Sequence, residues 1–156
     1  MTNPVETPNA VHGCIIMASG LGTRFGSNKL MANLDGAPLV AHAISACDGL
    51  FAKCVAVTRH EYVAKLCRTL GVEAIVHDEP LRSDTVRLGM QAMDACDTVT
   101  FIQADQPLIS ANTLAALLRS AEAHPEFIWR VGFQGTPGAP VLFPAWAFDE
   151  LRALPP

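Results

Sequence analysis

Short apolar runs of four to seven residues alternate along this chain with segments of helical periodicity, and this alternation constrains the fold more than any other feature of the sequence. Val11–Met17 (VHGCIIM), Lys53–Thr58 (KCVAVT), Val72–Val76 and Thr98–Gln103 (TVTFIQ) read as buried strands, being short, apolar and bounded by turn residues. Phe127–Phe133 predicts a fifth strand and Pro140–Phe143 a short sixth. Between them lie predicted helices. Pro38 opens one through Cys47, His60–Leu70 is stopped by Gly71, Ser83 or Asp84 caps one to Ala95, Ser110 caps Ala111–Ala123, and Ala145–Leu154 ends the series. Strand–helix alternation at short intervals predicts an α/β fold, a three-layer, Rossmann-like, mostly parallel sheet with helices on both faces. Ligands of such sheets bind at the carboxyl ends of the strands. The loops to search are therefore Ala18–Lys29, His77–Thr85 and Ala104–Ile109.

The chain's 156 residues suit one domain, read as residues 11–156 behind a disordered polar lead, residues 1–10, with no basic-then-apolar leader pattern. Hydrophobic residues at 50% and charged residues at 17% exclude an unfolded chain. A formal net charge of −4 excludes a non-specific nucleic-acid coat, which needs a basic excess. No run approaches the ~18 uninterrupted apolar residues of a membrane span. Cys14, Cys47, Cys54, Cys67 and Cys96 form no CxxC pair and sit beside no histidine at zinc-ligand spacing, so they read as reduced, buried thiols of a cytoplasmic protein. The five histidines show no metal-binding helix spacing, and no GxSxG elbow occurs.

After the first strand comes Ala18-Ser19-Gly20-Leu21-Gly22-Thr23-Arg24-Phe25-Gly26-Ser27-Asn28-Lys29. Gly20 and Gly22 let backbone approach a ligand closely, and exposed amides in such a loop form an anion nest. Arg24 offers a planar fork and Lys29 a point charge, a combination suited to a triphosphate. The spacing matches neither GxxxxGK[ST] nor GxGxxG. The alternative is a glycine-rich surface turn with incidental charges. After the fourth strand, Ala104-Asp105-Gln106-Pro107-Leu108 puts one carboxylate at the ligand edge, where it suits Mg²⁺ or serves as a turn aspartate before Ser110. The stretch Arg82-Ser83-Asp84-Thr85 begins a helix at the same edge, with a ligand or a capping role.

Met17–Gly26 followed by Lys29-Leu30, together with Leu34-Asp35-Gly36-Ala37-Pro38-Leu39, resembles the signature loop of the MobA-like nucleotidyltransferases. Asp105-Gln106-Pro107-Leu108 is similar to a motif of that family's molybdenum cofactor cytidylyltransferase branch. The resemblance implies a fold of the nucleotide-diphospho-sugar transferase type. It also implies transfer of a nucleoside monophosphate, CMP from CTP, to a phosphate-bearing acceptor such as molybdopterin, with release of pyrophosphate and a molybdenum enzyme as possible partner. On the same resemblance Ala18, Ser19, Gly20, Leu21, Gly22, Arg24 and Lys29 hold the nucleotide, joined by Arg82 and Thr85. Arg24, Lys29 and Asp105 act catalytically, and Asp105 holds Mg²⁺. Gly135–Pro144 is similar to a family segment and reads either as a border of the acceptor or as a hairpin. Ala104 replaces a family glycine, and the family's further strand and second metal-binding aspartate have no counterpart before Pro156, so low activity is expected of these residues alone. The other readings are a sugar-phosphate nucleotidyltransferase and a nucleotide-binding module without catalysis.

Overall fold

The computed structural model describes residues 10–20 and 29–156. The apolar runs form strands close to where their sequence predicts: β1 (His12–Ala18), β4 (Lys53–Thr58), β5 (Glu73–Val76) and β6 (Thr98–Gln103). These four are mutually parallel. The hairpin partners β7 (Trp129–Phe133) and β8 (Thr136–Pro144) complete a six-stranded sheet of order β5-β4-β1-β6-β8-β7. The chain runs from β1 outward through β4 to β5, then returns to β6 on the other side of β1. Strand order thus reverses between β1 and β6, and that reversal is where an open α/β sheet forms its ligand crevice.

Both faces of the sheet are covered, for a reason visible in β1. Cys14, Ile16 and Ala18 point to one face and Ile15 to the other, and all four are fully buried, so neither face tolerates water. The first face packs against α1 (Leu39–Cys47), α2 (Glu61–Thr69) and α4 (Ala111–Ala123) through Val40, Val63, Cys67 and Leu114. The second packs against α3 (Arg82–Met90) and α5 (Phe148–Arg152) through Met90, Phe148 and Leu151. This is the three-layer arrangement expected. Ser110 caps α4 as read, its hydroxyl accepting the Thr113 amide at 3.1 Å.

The structure corrects four local expectations. Asp35-Gly36 turns between two short strands absent from the sequence reading, β2 (Asn33–Leu34) and β3 (Ala37–Pro38). Both turn residues have positive φ, 50° and 90°, the conformation for which Asp-Gly is selected. Pro38 stands just outside α1 rather than in its first turn. The helix α3 starts earlier and ends at Met90, not Ala95. Its cap residue is Leu81, and Asp84 contributes from inside the first turn by accepting the Leu81 amide at 3.0 Å. The sixth strand is nine residues long and antiparallel to β6. Proline removes a ladder donor, but Pro137 and Pro140 lie beyond the Val141–Pro144 ladder with β6, and a register shift in the ladder with β7 absorbs residues 138–140. Gly135–Pro144 is therefore part of a hairpin.

The absence of a side chain at Gly89 sets how α3 meets the sheet. A Cβ there would stand 2.8 Å from Ile15 Cδ1 and Cγ2, so its absence lets α3 lie close against β1. That close approach places the start of α3 at the carboxyl edge of the sheet.

Candidate active site

The loop after β1 is gripped where it leaves the strand. Thr58 Oγ1, at the end of β4, donates to the Ala18 carbonyl at 2.9 Å. Ser19 Oγ donates to the Val57 carbonyl at 3.2 Å and lies 2.7 Å from His77 Nε2. His77 Nδ1 accepts the Glu79 amide at 3.2 Å, which leaves the ring proton on Nε2 to be donated to Ser19. His60 Nε2 donates to the Gly20 carbonyl at 2.9 Å. Three consecutive loop residues are thus each held by a different side chain from β4, β5 or the loops that follow them. Desolvation of the partly buried His77 ring lowers its pKa below the usual 6.5, and the neighbouring Arg59 guanidinium adds to the effect. The neutral ring is the form this hydrogen-bond arrangement needs.

Beyond Gly20 the residues named in the sequence reading as Leu21, Gly22 and Arg24 lie outside the described residues. Lys29 begins a short 3-10 helix (Lys29–Met31). Its ammonium stands 3.4 Å from Asp105 Oδ2 across the reversal point between β1 and β6. Asp105 follows directly on Ala104, whose amide donates to the Met17 carbonyl at 3.1 Å and so extends the β6–β1 pairing to the carboxylate's doorstep.

Two adjoining cavities open at this edge. The smaller, ≈ 330 Å³, is lined by Ser19 and Gly20 from the loop, Arg82 and Thr85 from α3, and Arg59 and Gln103 from the ends of β4 and β6. The larger, ≈ 700 Å³, has a mostly apolar wall that includes Phe101, Phe143 and Trp146, with Arg130 and Gln106 as polar members. Met17, Arg82 and Gln103 line both. The side-chain oxygen Oε1 of Gln106 is buried without a partner among the described residues. Gly138 and Ala139 also line the larger cavity, so the hairpin segment borders it as well as turning the chain.

The expected site residues therefore divide into three groups. Ser19, Gly20, Arg82 and Thr85 converge on one cavity. Lys29 and Asp105 pair at the rim and are not among its lining residues. Ala18 is buried with its carbonyl already engaged, and it supports the loop from below instead of facing the cavity. Sequence reasoning assigned no role to Arg59, His60, His77 or Gln103, although His77 opens one of the three loops it singled out. The only sequence signal for them was their position just after, or at the end of, a predicted strand.

This architecture is that of the nucleotide-diphospho-sugar transferase fold. The chain belongs to the MobA-like NTP transferase domain family, whose model matches residues 14–156. It is 35% identical over 138 residues to the bifunctional protein GlmU of Micrococcus luteus, covering 79% of this chain and 27% of that protein. It is 29% identical over 101 residues to a 3-deoxy-manno-octulosonate cytidylyltransferase of Bdellovibrio bacteriovorus, covering 60% of this chain and 41% of that one. The chain thus spans between about a quarter and two fifths of the length of these relatives. The crystal structure of Rv0371c from Mycobacterium tuberculosis H37Rv superimposes with a TM-score of 0.78 at 18% identity, over 94% of this chain and 77% of that one. No helix of the described residues is long and apolar enough to cross a membrane.

Proposed function

We propose that this chain binds a nucleoside triphosphate in the smaller cavity and transfers its monophosphate to a phosphate-bearing acceptor held in the larger one, with release of pyrophosphate. The observation that carries this reading is the shared wall of Met17, Arg82 and Gln103 between two cavities at the ligand edge. Group transfer needs donor and acceptor side by side, with the reacting atoms held at near-contact distance. Family membership supports the reaction class, and the cytidylyltransferase relative supports CTP as the donor.

The acceptor's terminal phosphate attacks the α-phosphorus of the triphosphate. A new P–O bond forms, the bond to the β-phosphate oxygen breaks, and pyrophosphate carries away the bond's electron pair. The nucleophile is already anionic, so no strong general base is required. The work is electrostatic: two polyanions must be held together while negative charge moves to the leaving group. Arg82 faces both cavities and is placed to hold both substrates. Lys29 and Arg24 are assigned to the departing pyrophosphate.

The donor set around Asp105 fits Mg²⁺. It offers one hard carboxylate at a solvent-accessible sheet edge, where phosphate and water oxygens can complete the coordination. Bound there, the ion would neutralise charge on the phosphates.

The acceptor proposed is a flat, phosphate-bearing heterocycle of the molybdopterin kind, destined for a molybdenum enzyme. Phe101, Phe143 and Trp146 suit an apolar ring, Arg130 suits its phosphate, and the Gln106 oxygen, without a partner among the described residues, suits an N–H donor. A sugar acceptor is the second reading, favoured by the substrate in the name of the Bdellovibrio relative. Calorimetry with CTP, GTP and ATP, with and without Mg²⁺, tests the donor site. Pyrophosphate release with a phosphorylated pterin against a sugar phosphate tests the acceptor. Metal-dependent CTP binding is expected; failure to bind any nucleoside triphosphate would overturn the proposal.

A further inference from the structure

Three of the five cysteines converge from three separate elements. Cys14 on β1 and Cys54 on β4 are direct partners in the parallel register, so their side chains project from the same face of the sheet. Cys47 is the last residue of α1, which packs on that face. The three sulfurs lie within 4.8 Å of one another, and Cys14 Sγ and Cys47 Sγ are 3.9 Å apart. Sequence separations of 33 and 7 residues (47 − 14 and 54 − 47) conceal this grouping, because only the β1–β4 pairing and the end of α1 create it.

We propose that Cys14, Cys47 and Cys54 form a second site, a three-thiolate seat for Zn²⁺ at the edge of the sheet opposite the nucleotide crevice. Thiolates at ~2.3 Å from one zinc ion stand about 3.8–4.0 Å apart, and the Cys14–Cys47 separation already has this value. The other sulfur separations, all under 4.8 Å, close to it with small side-chain movements. Ligand softness restricts the choice to thiophilic ions. Charge then favours the divalent one. Three thiolates with Zn²⁺ leave a net charge of −1, whereas Cu⁺ would leave −2 in the apolar cluster that includes Val40, Ala43 and Ile16, beside the Ala43 carbonyl that accepts the Cys47 thiol at 3.2 Å. A low-dielectric site penalises the larger charge more heavily. Cys14 and Cys47 are buried while Cys54 is only partly so, and the ion and a fourth, water ligand would enter from the Cys54 side. The ion would tie the carboxyl-terminal end of α1 to β1 and β4. Cys14 precedes Ala18 by four residues on β1, about 13 Å at the rise of a strand, so the seat is separate from the nucleotide edge.

The test uses the full chain, reduced and stripped of metal, titrated with Zn²⁺ and with Cd²⁺ as a spectroscopic probe. One ion per chain, a sulfur-to-cadmium charge-transfer band and a melting temperature raised by Zn²⁺ are expected. Cys54→Ser, at the least buried of the three positions, weakens binding at least about tenfold. Cys47→Ala does the same, and Cys96→Ala on the other face of the sheet leaves binding intact. The proposal is overturned by absence of the band, by a band that survives both Cys54→Ser and Cys47→Ala, or by loss of two free thiols to a reducible disulfide in place of metal binding. None of these readouts depends on nucleotide binding.

Discussion

Lys29 Nζ and Asp105 Oδ2 stand 3.4 Å apart although 76 residues separate them in the chain. The contact exists because β6 returns beside β1, which brings Lys29, at the end of the loop after β1, and Asp105, two residues past β6, to one crevice. Both side chains are about half exposed, 48% and 45%, so as an ion pair they contribute at most about 1 kcal/mol to stability. Lys29→Ala is therefore expected to leave the melting temperature nearly unchanged. On the proposed mechanism it lowers turnover by about 10²–10³, the cost of losing one preorganised charge-stabilising group. Pyrophosphate-release kinetics beside a thermal melt separates the two effects, and unchanged turnover would remove Lys29 from the chemistry.

Arg82 and Arg130 allow the two cavities to be distinguished. Arg82 lines both, and Arg130 lines only the larger. Replacing Arg82 with alanine is expected to raise KM for triphosphate and acceptor alike. The same change at Arg130 raises it for the acceptor alone. Loss of a charged hydrogen bond worth about 1.5–3 kcal/mol corresponds to a roughly 10- to 100-fold change. Steady-state kinetics with each substrate varied in turn gives the answer.

The His77 clamp makes loop anchoring sensitive to pH. Its pKa is lowered in the folded chain, chiefly by desolvation and further by Arg59, while Asp84, Glu79 and Asp78 act in the opposite sense. Between the folded and unfolded pKa values the unfolded chain binds more protons, so stability rises with pH there. The contribution is complete above about pH 6.5, the unfolded value, and is lost as pH falls through the lower folded value. Protonation at Nδ1 also abolishes that atom's acceptance of the Glu79 amide. CTP affinity is expected to weaken as pH falls below that range in the wild type and to lose that dependence in His77→Asn. Parallel titrations down to pH 5 would show it, and identical profiles for the two proteins would count against the clamp.

Gly89 tests how the start of α3 is held in place. Gly89→Ala drives a methyl to within 2.8 Å of two Ile15 carbons, both in the core. Overpacking of this kind costs about 1–3 kcal/mol. The helix must back away from β1, taking Arg82 and Thr85 with it. The expected result is a lower denaturation midpoint together with weaker nucleotide binding, partly restored by Ile15→Val. Chemical denaturation with and without CTP measures both.

What the sequence determined by itself was local. β1, β4 and β6 were legible because each is a short apolar run bounded by turn residues, and α4 because Ser110 is a hydroxyl cap before a periodic apolar face. The family was legible because the glycine loop and the Asp-Gln-Pro-Leu motif are contiguous. Tertiary structure decided everything that required two distant segments to meet. The direction and length of β8 depended on where the β6 ladder stops, which lets Pro137 and Pro140 sit in a strand they would otherwise break. His60 and His77 looked scattered until the ends of β4 and β5 were set beside the loop after β1. Cys14, Cys47 and Cys54 looked unrelated until parallel register aligned two of them and the end of α1 delivered the third. Periodicity and capping are written into neighbouring residues, whereas a binding site is a coincidence in space that only the strand order of the sheet creates.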